Sequence, residues 1–304
     1  MARSYRYLHY DVFTDHLFSG NQLAVFLDGR GLSTESMQAI AKEMNFSEST
    51  FMFPPERAGA DIGMRIFTVG EELPTAGHPT IGSTFALARS GVIESPRQNF
   101  VFGCGIGNVP VSMSWNGGDL AFVWMSQALP TFGEPLSDPA GAAAALSLPP
   151  AAVAGTGQPV QVVSCGVPFL FVPLTTRSAV DSAVVNRAGL DEMFRAANTN
   201  AHGVFVFSAQ PGSDRATVYS RMFAPDMGIV EDPATGIASG PLGCYLVRHK
   251  VVKADKAEAI LSLQGAKMGR PSHVHIAIGV QGGEVASVRV GGEAVLAGEG
   301  TLYI

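Results

Sequence analysis

The segment YRYLHYDVF near the N-terminus alternates loosely between apolar and polar positions, and QLAVFLD is a compact apolar run; both predict strands, joined through a turn at Gly20-Asn21. The period then changes. From Ser33, a residue type suited to an N-cap, Met37, Ile40, Ala41 and Met44 fall at i, i+3, i+4 and i+7, the stripe of a helix lying on a sheet. STFMFP and DIGMRIFTV return to strand character. PTIGSTFALARSG then predicts a helix with a proline in its first turn and Gly91 as its stop. That helix is apolar nearly all round, which places it inside something, such as the centre of a curled sheet.

The same order of events recurs in YSRMFAPDMGIVEDPATGIASGPLGCYLVRHKVV: strand, loop with an acid and a proline, glycine, mostly apolar helix. Arg65 and Phe67 correspond to Arg221 and Phe223, Pro74 to Pro233, Gly77 to Gly236, and the pair Ile81-Gly82 to Leu242-Gly243, with two extra residues between glycine and pair in the second copy. The two arginines lie about half the chain apart, so the pattern predicts a duplicated β-rich unit around a central helix. Chance similarity is the competing explanation; the shared order of elements argues for duplication.

Length and composition narrow the function. A chain of 304 residues with 46% apolar and 15% charged residues has ample core for two domains or one large one. Thirty-five glycines and nineteen prolines fit a chain with many turns. The net charge of −6 is spread without a basic block, which argues against nucleic acid or an anionic membrane as partner and for small molecules. The opening MARSYRYLHYDVFTDHLFSG shows neither a long apolar core nor a small-residue cleavage site, and no later run reaches transmembrane length, so a cytoplasmic location is expected. Cys104, Cys165 and Cys244 are odd in number and lack paired spacing, so buried free thiols are expected.

Two equivalent glycine loops, each opening a helix, suggest a use. The first turn of a helix carries unpaired N–H groups and the positive end of the dipole, and so binds carboxylates without a cationic side chain. Glycine at the approach, Gly77 and Gly236, lets a ligand come close to the backbone. A tight turn is the alternative for either glycine taken alone.

The ordered set GNQLAVF, NFSESTF, RIFTVGEELPTAGHPTIG, EDPATGIASGPLGCYL and QGAKMGRPS resembles the PhzF family of phenazine-biosynthesis-type isomerases, within the diaminopimelate epimerase-like superfamily. The resemblance covers nearly the whole chain. It implies an α+β fold of two similar lobes, each a curled, mostly antiparallel, barrel-like sheet around a central helix. The lobes are expected at 1–128 and 129–289, with a C-terminal strand near 290–304 joining the first. It also implies an active site in the cleft between lobes, no cofactor or metal, and a homodimer.

The family moves a proton within a small carboxylated substrate, as in the isomerisation of trans-2,3-dihydro-3-hydroxyanthranilate. By resemblance, Glu48 of SES is the acid/base. Its setting between Phe46 and Phe51 suits the task, because burial in an apolar cleft raises a carboxyl pKa toward the range where a proton can be taken and returned. An ordinary surface glutamate is the alternative. The resemblance also makes His78 and Asp232 cleft residues that orient substrate and assist the proton, while backbone groups at Gly77 and Gly236 hold its carboxylate. A histidine can donate at one nitrogen and accept at the other; a buried core histidine and a capping aspartate are the alternatives.

One position departs from the family pattern. Ile237 stands where a serine is usual, so a polar contact is missing or supplied elsewhere, with Ser239 the candidate. This puts an anthranilate-type substrate in question and raises an alternative function, a catalytically silent small-molecule-binding or regulatory member of the same fold. No cysteine occurs in either loop, which argues against the two-thiol racemase chemistry of the superfamily's other branch. His273 and His275 would share a strand face, but no third ligand stands at fitting spacing, so no metal site is expected.

Overall fold

The first two alternating stretches form β1 (Ser4–Val12) and β2 (Asn21–Phe26) in a computed structural model of the chain, which describes residues 3–196, 198, 199, 201, 203–225 and 229–304. The chain returns into β2 through Gly20, whose φ is +66° and where a Cβ would stand 2.3 Å from the Val12 carbonyl oxygen, so only glycine fits. There follow α1 (Thr34–Met44), β3 (Glu48–Phe53), β4 (Ile62–Thr68), β5 (Glu72–Leu73), α2 (Gly77–Arg89), β6 (Asn99–Cys104), β7 (Gly107–Asn116) and β8 (Asp119–Gln127). Next come β9 (Thr131–Phe132), α3 (Pro139–Ala145), α4 (Ala151–Ala154), β10 (Gln161–Ser164), β11 (Pro168–Pro173), α5 (Arg177–Ser182), α6 (Arg187–Ala196), β12 (Val204–Ser208) and β13 (Val218–Ala224). The last are β14 (Ile229–Asp232), α7 (Gly236–Arg248), β15 (Ile260–Gln264), β16 (Ser272–Gln281), β17 (Glu284–Gly292) and β18 (Ala294–Tyr303). The chain divides into two compact units, one running to Ser126 and including Gly291–Ile304, the other Gln127–Val290.

In the first unit the sheet runs β18, β1, β2, β3, β4, β6, β7, β8, with β2 parallel to β3, β4 parallel to β6 and the other neighbours antiparallel. Helix α1 covers the outer face. Ser33 caps it by accepting from the Ser36 N–H, and Met37, Ile40 and Ala41 are buried against Ala24, Phe26, Phe51 and Phe67. Helix α2 lies against the inner face, on β1, β2 and β3, and its residues from Gly77 to Leu87 are all buried. The fit is close: a Cβ on Gly82 would come within 2.6 Å of side-chain atoms of both Leu23 and Val12.

The second unit repeats this plan. Its sheet runs β9, β10, β11, β12, β13, β15, β16, with β11 parallel to β12 and β13 parallel to β15, as β2 is to β3 and β4 to β6. Helices α3 to α6 bury one face, where Leu146, Val153, Leu190, Val172 and Val206 belong to one core cluster. Helix α7 lies on β10, β11 and β16, with Gly243 held as tightly as Gly82, since a Cβ there would meet Ile276 at 2.5 Å.

The duplication read from the sequence is carried in side chains as well as strands. Arg65 pairs with Glu72 and lies 5.1 Å over Phe67; Arg221 pairs with Glu231 and lies 4.7 Å over Phe223. One detail differs from expectation. Both central helices start at the paired glycine and run 13 residues, so no residues are inserted between glycine and helix, and a constant separation pairs Ala76 with Thr235, His78 with Ile237 and Thr80 with Ser239. The hydroxyls confirm it, Thr80 donating to the Ala76 carbonyl and Ser239 to that of Thr235. The similarity of Ile81-Gly82 to Leu242-Gly243 reflects a shared need for small residues where helix meets sheet, at different turns. The extra length lies instead between Arg221 and Pro233, a stretch that includes residues 226–228, outside those described.

Candidate active site

In the first unit, β3 begins at Glu48, opposite Leu23 on β2 and Thr68 on β4. Cross-strand partners share a face, and Leu23 touches α2 at Gly82, so Glu48 points toward the central helix. There it meets His78 in the helix's first turn, with His78 Nε2 3.2 Å from Glu48 Oε2 and both side chains at least nine-tenths buried. Burial pushes the His78 pKa down to about 3, a backbone hydrogen bond with Gln22 opposing it, so the imidazole is neutral at neutral pH. On the far side of the ring Asn21 Nδ2 stands 3.2 Å from Nδ1. The imidazole thus lies between the Asn21 amide and the Glu48 carboxyl group, one ring nitrogen facing each.

The start of α2 is built to leave its amides available. Its N-cap is Ala76, with no side-chain cap, and the first turn carries no acidic residue, whereas α1, α3 and α5 are capped by Ser33, Asp138 and Thr176. Glu48, His78 and Gly77 therefore form one cluster: a carboxylate, a neutral imidazole and a helix N-terminus.

The second unit gathers Asp232, Gly236, Ile237 and Ser239 around the start of α7. Asp232 ends β14, is 5% exposed, and accepts from the Thr235 hydroxyl at 2.6 Å. Gln264, at the end of β15, donates to the Asp232 carbonyl (2.7 Å) and to Thr235 Oγ1 (3.0 Å) and accepts from the Thr235 N–H (3.0 Å). Thr235, its hydroxyl turned to Asp232, gives α7 no side-chain cap, so this helix start resembles that of α2. Gln127 donates to the Gly236 carbonyl at 3.0 Å. Ile237 is half-buried while its neighbours from Asp232 to Leu246 are buried, which leaves it accessible at the helix start. Ser239 is fully buried and its hydroxyl donates to the Thr235 carbonyl at 2.9 Å.

The sequence from residue 10 to residue 300 matches the family described as phenazine biosynthesis-like protein, PhzC-PhzF. The chain belongs to the PhzF family. A trans-2,3-dihydro-3-hydroxyanthranilate isomerase from Pseudomonas aeruginosa is 36% identical over 301 residues, 99% of this chain and 100% of the relative. An uncharacterized isomerase of Mesorhizobium japonicum is likewise 36% identical, over 98% of each chain. The crystal structure of a Bacillus anthracis phenazine biosynthesis protein of the PhzF family superposes with a TM-score of 0.85 at 25% identity, covering 99% of this chain and 100% of that one. This PhzF-family chain is an isomerase, and its two-unit fold is that of the family.

Three residues of the PhzF-type clusters escaped the sequence reading. Asn21 reads only as a turn residue, and Thr235 and Gln264 carry no signal beyond their place in family motifs; all three act through tertiary contacts. Cys165 and Cys244, scattered in sequence, come together with sulfurs 4.0 Å apart, and their mutual hydrogen bond, then burial, push the Cys165 thiol far up, which keeps it protonated. Among the described residues no helix is long and apolar enough to cross a membrane, and no group of three or more His, Cys, Asp or Glu is placed to hold a metal ion.

Proposed function

We propose that this isomerase shifts a proton between two carbons of one small carboxylated substrate, with Glu48 taking the proton and returning it and with no cofactor. The observation that carries this reading is the buried contact of Glu48 with a neutral His78 at 3.2 Å. A neutral imidazole can donate to the carboxylate in one tautomer and accept from the protonated carboxyl group in the other, so it can stay beside Glu48 through both charge states without neutralising it as an imidazolium would. General acid–base catalysis of this kind contributes roughly 10²–10⁴ in rate. The uncapped amides at Gly77 hold the substrate's carboxylate, since a helix N-terminus gives an anion both hydrogen bonds and a favourable dipole. Asp232 orients the substrate's polar substituent, and the backbone at Gly236 assists in holding the anion.

The substrate class proposed is that of trans-2,3-dihydro-3-hydroxyanthranilate, on which the Pseudomonas relative acts, with one alteration. Ile237, accessible where the family pattern has serine, favours a less polar group at that position than the anthranilate type carries. The pair of Glu48 and His78 is complete, which favours turnover over a silent binding role.

The test is deuterium uptake from D₂O into trans-2,3-dihydro-3-hydroxyanthranilate and a panel of related carboxylated compounds. Glu48→Gln keeps shape and removes the titrating group, so turnover should fall roughly a hundredfold or more while binding persists. Turnover of the wild type should be unaffected by chelators. Near-normal turnover in Glu48→Gln removes Glu48 from the mechanism.

A further inference from the structure

We propose that Gln264 is a positioning residue for the reaction: through the Thr235 hydroxyl it fixes the orientation of the Asp232 carboxylate. The inference rests on the reading that Asp232 acts on substrate. Gln264 is fully buried at the end of β15, and every polar atom of its amide is engaged by the 232–235 loop. Its Nε2 can only donate, so at 3.0 Å Thr235 Oγ1 must accept. The one proton of that hydroxyl is then left for Asp232 Oδ2, 2.6 Å away. The polarity of the chain is set from amide to hydroxyl to carboxylate, with no alternative arrangement that satisfies all three groups.

Two further observations show what the arrangement is for. Threonine is a good N-cap, yet here it leaves the first turn of α7 uncapped in order to reach Asp232. The backbone beside the amide is pressed onto the loop: Gly265 has φ +73°, and a Cβ there would stand 2.5 Å from the Pro233 carbonyl oxygen. In the first unit β6 pairs with β4 as β15 pairs with β13, and Gly105 meets Pro74 as Gly265 meets Pro233. The residue matching Gln264 is therefore Cys104, and the residue matching Asp232 is Leu73. Where the loop carries no carboxylate, no amide holds it.

A purely structural Gln264 would need only its bonds to the loop backbone, which Thr235→Val leaves intact. With trans-2,3-dihydro-3-hydroxyanthranilate as probe, Thr235→Val should lower kcat roughly ten- to hundredfold with KM little changed. Thr235→Ser should restore kcat to within a few-fold. Gln264→Glu keeps the size but accepts from the Thr235 hydroxyl, turning its proton away from Asp232, and should match Thr235→Val. Wild-type kcat in Thr235→Val, or no rescue by serine, overturns the proposal. Asp232→Asn is the reference: normal turnover in that variant sinks the reading of Asp232 itself. A readout without turnover is the ¹³Cγ resonance of Asp232 in labelled protein. It should shift in Thr235→Val and Gln264→Glu and return in Thr235→Ser; an unmoved resonance in Gln264→Glu overturns the proposal whatever the substrate.

Discussion

Helices α2 and α7 begin on paired glycines, run equally long, and are gripped by sheets of the same strand order, yet their first turns carry opposite chemistry. After the glycine the first unit has His78, in contact with Glu48; the second has Ile237. The position matching Glu48, by strand register from Arg65 and Arg221, is Gly203, where a Cβ would stand only 2.6 Å from the Phe223 carbonyl oxygen. The second unit instead holds an aspartate in a neutral hydrogen-bond chain. Duplication thus preserves the framework of helix, sheet and arginine pair, while the contact of carboxyl group and imidazole is confined to one copy. The proposed reaction, in which a proton is taken and given back to the same molecule, needs only one such pair.

The sharpest separation between the copies should appear in their arginines. Arg221 and Glu231 are 9% and 14% exposed, and Arg221 Nη1 also donates to the carbonyls of Val180, Asp181 and Ala183, whereas Arg65 and Glu72 are 32% and 38% exposed. Arg221→Ala should therefore cost about 3–5 kcal/mol by stranding a buried carboxylate and three carbonyls. Arg65→Ala should cost less than about 1 kcal/mol. Urea unfolding of both variants checks this, and equal losses would show that the two frameworks are loaded alike.

Next comes His78→Ile, which copies the second unit's residue into the first. Turnover should drop about a hundredfold. Acid stability should change as well. The folded pKa of His78, about 3, lies below its ordinary 6.5, so between those values the unfolded chain binds a proton that the folded chain refuses. Stability therefore falls as pH drops through this window, and unfolding at pH 7 and pH 4.5 should show a smaller loss in His78→Ile than in the wild type. An identical loss would mean that the imidazole is not held neutral.

The smallest effect is expected at the matching position. Ile237→Ser should weaken carboxylated ligands with an apolar substituent by about 1 kcal/mol and strengthen binding of trans-2,3-dihydro-3-hydroxyanthranilate. Titration of wild type and variant against a small panel decides it. No change on any ligand would show that Ile237 does not face substrate.

Much of this comparison is legible in sequence because it follows local rules. The stripe of Met37, Ile40 and Ala41 gives α1, the apolar run after Pro79 gives a buried helix, and the repeat of arginine, phenylalanine, proline and glycine gives the duplication. Glu48 and His78 were identifiable through family motifs, but their contact was not, since it depends on β3 starting opposite Leu23 and on α2 lying across that face. Spacing misled where two helices use glycine for one reason at different turns. The setting of Ser239 is not legible either, because a sequence does not show that a serine's hydroxyl turns back on its own helix. Gln264 was invisible for a related reason: a glutamine at a strand end has no local pattern, and its partners lie a helix away along the chain.

The close seats of Gly82 and Gly243 have a consequence for rate. A helix on which a Cβ at the glycine would come within 2.6 Å of the opposing strands' side chains is packed too closely to slide or roll freely. Its leading amides then point in a fixed direction whether or not an anion is bound. Donors fixed in this way need no reorganisation when charge builds on a substrate, whereas water in the same place would have to turn. Under the proposed function, replacing either glycine with alanine should therefore slow the reaction from beyond the first helical turn, by shifting the aim of amides that the new methyl never touches.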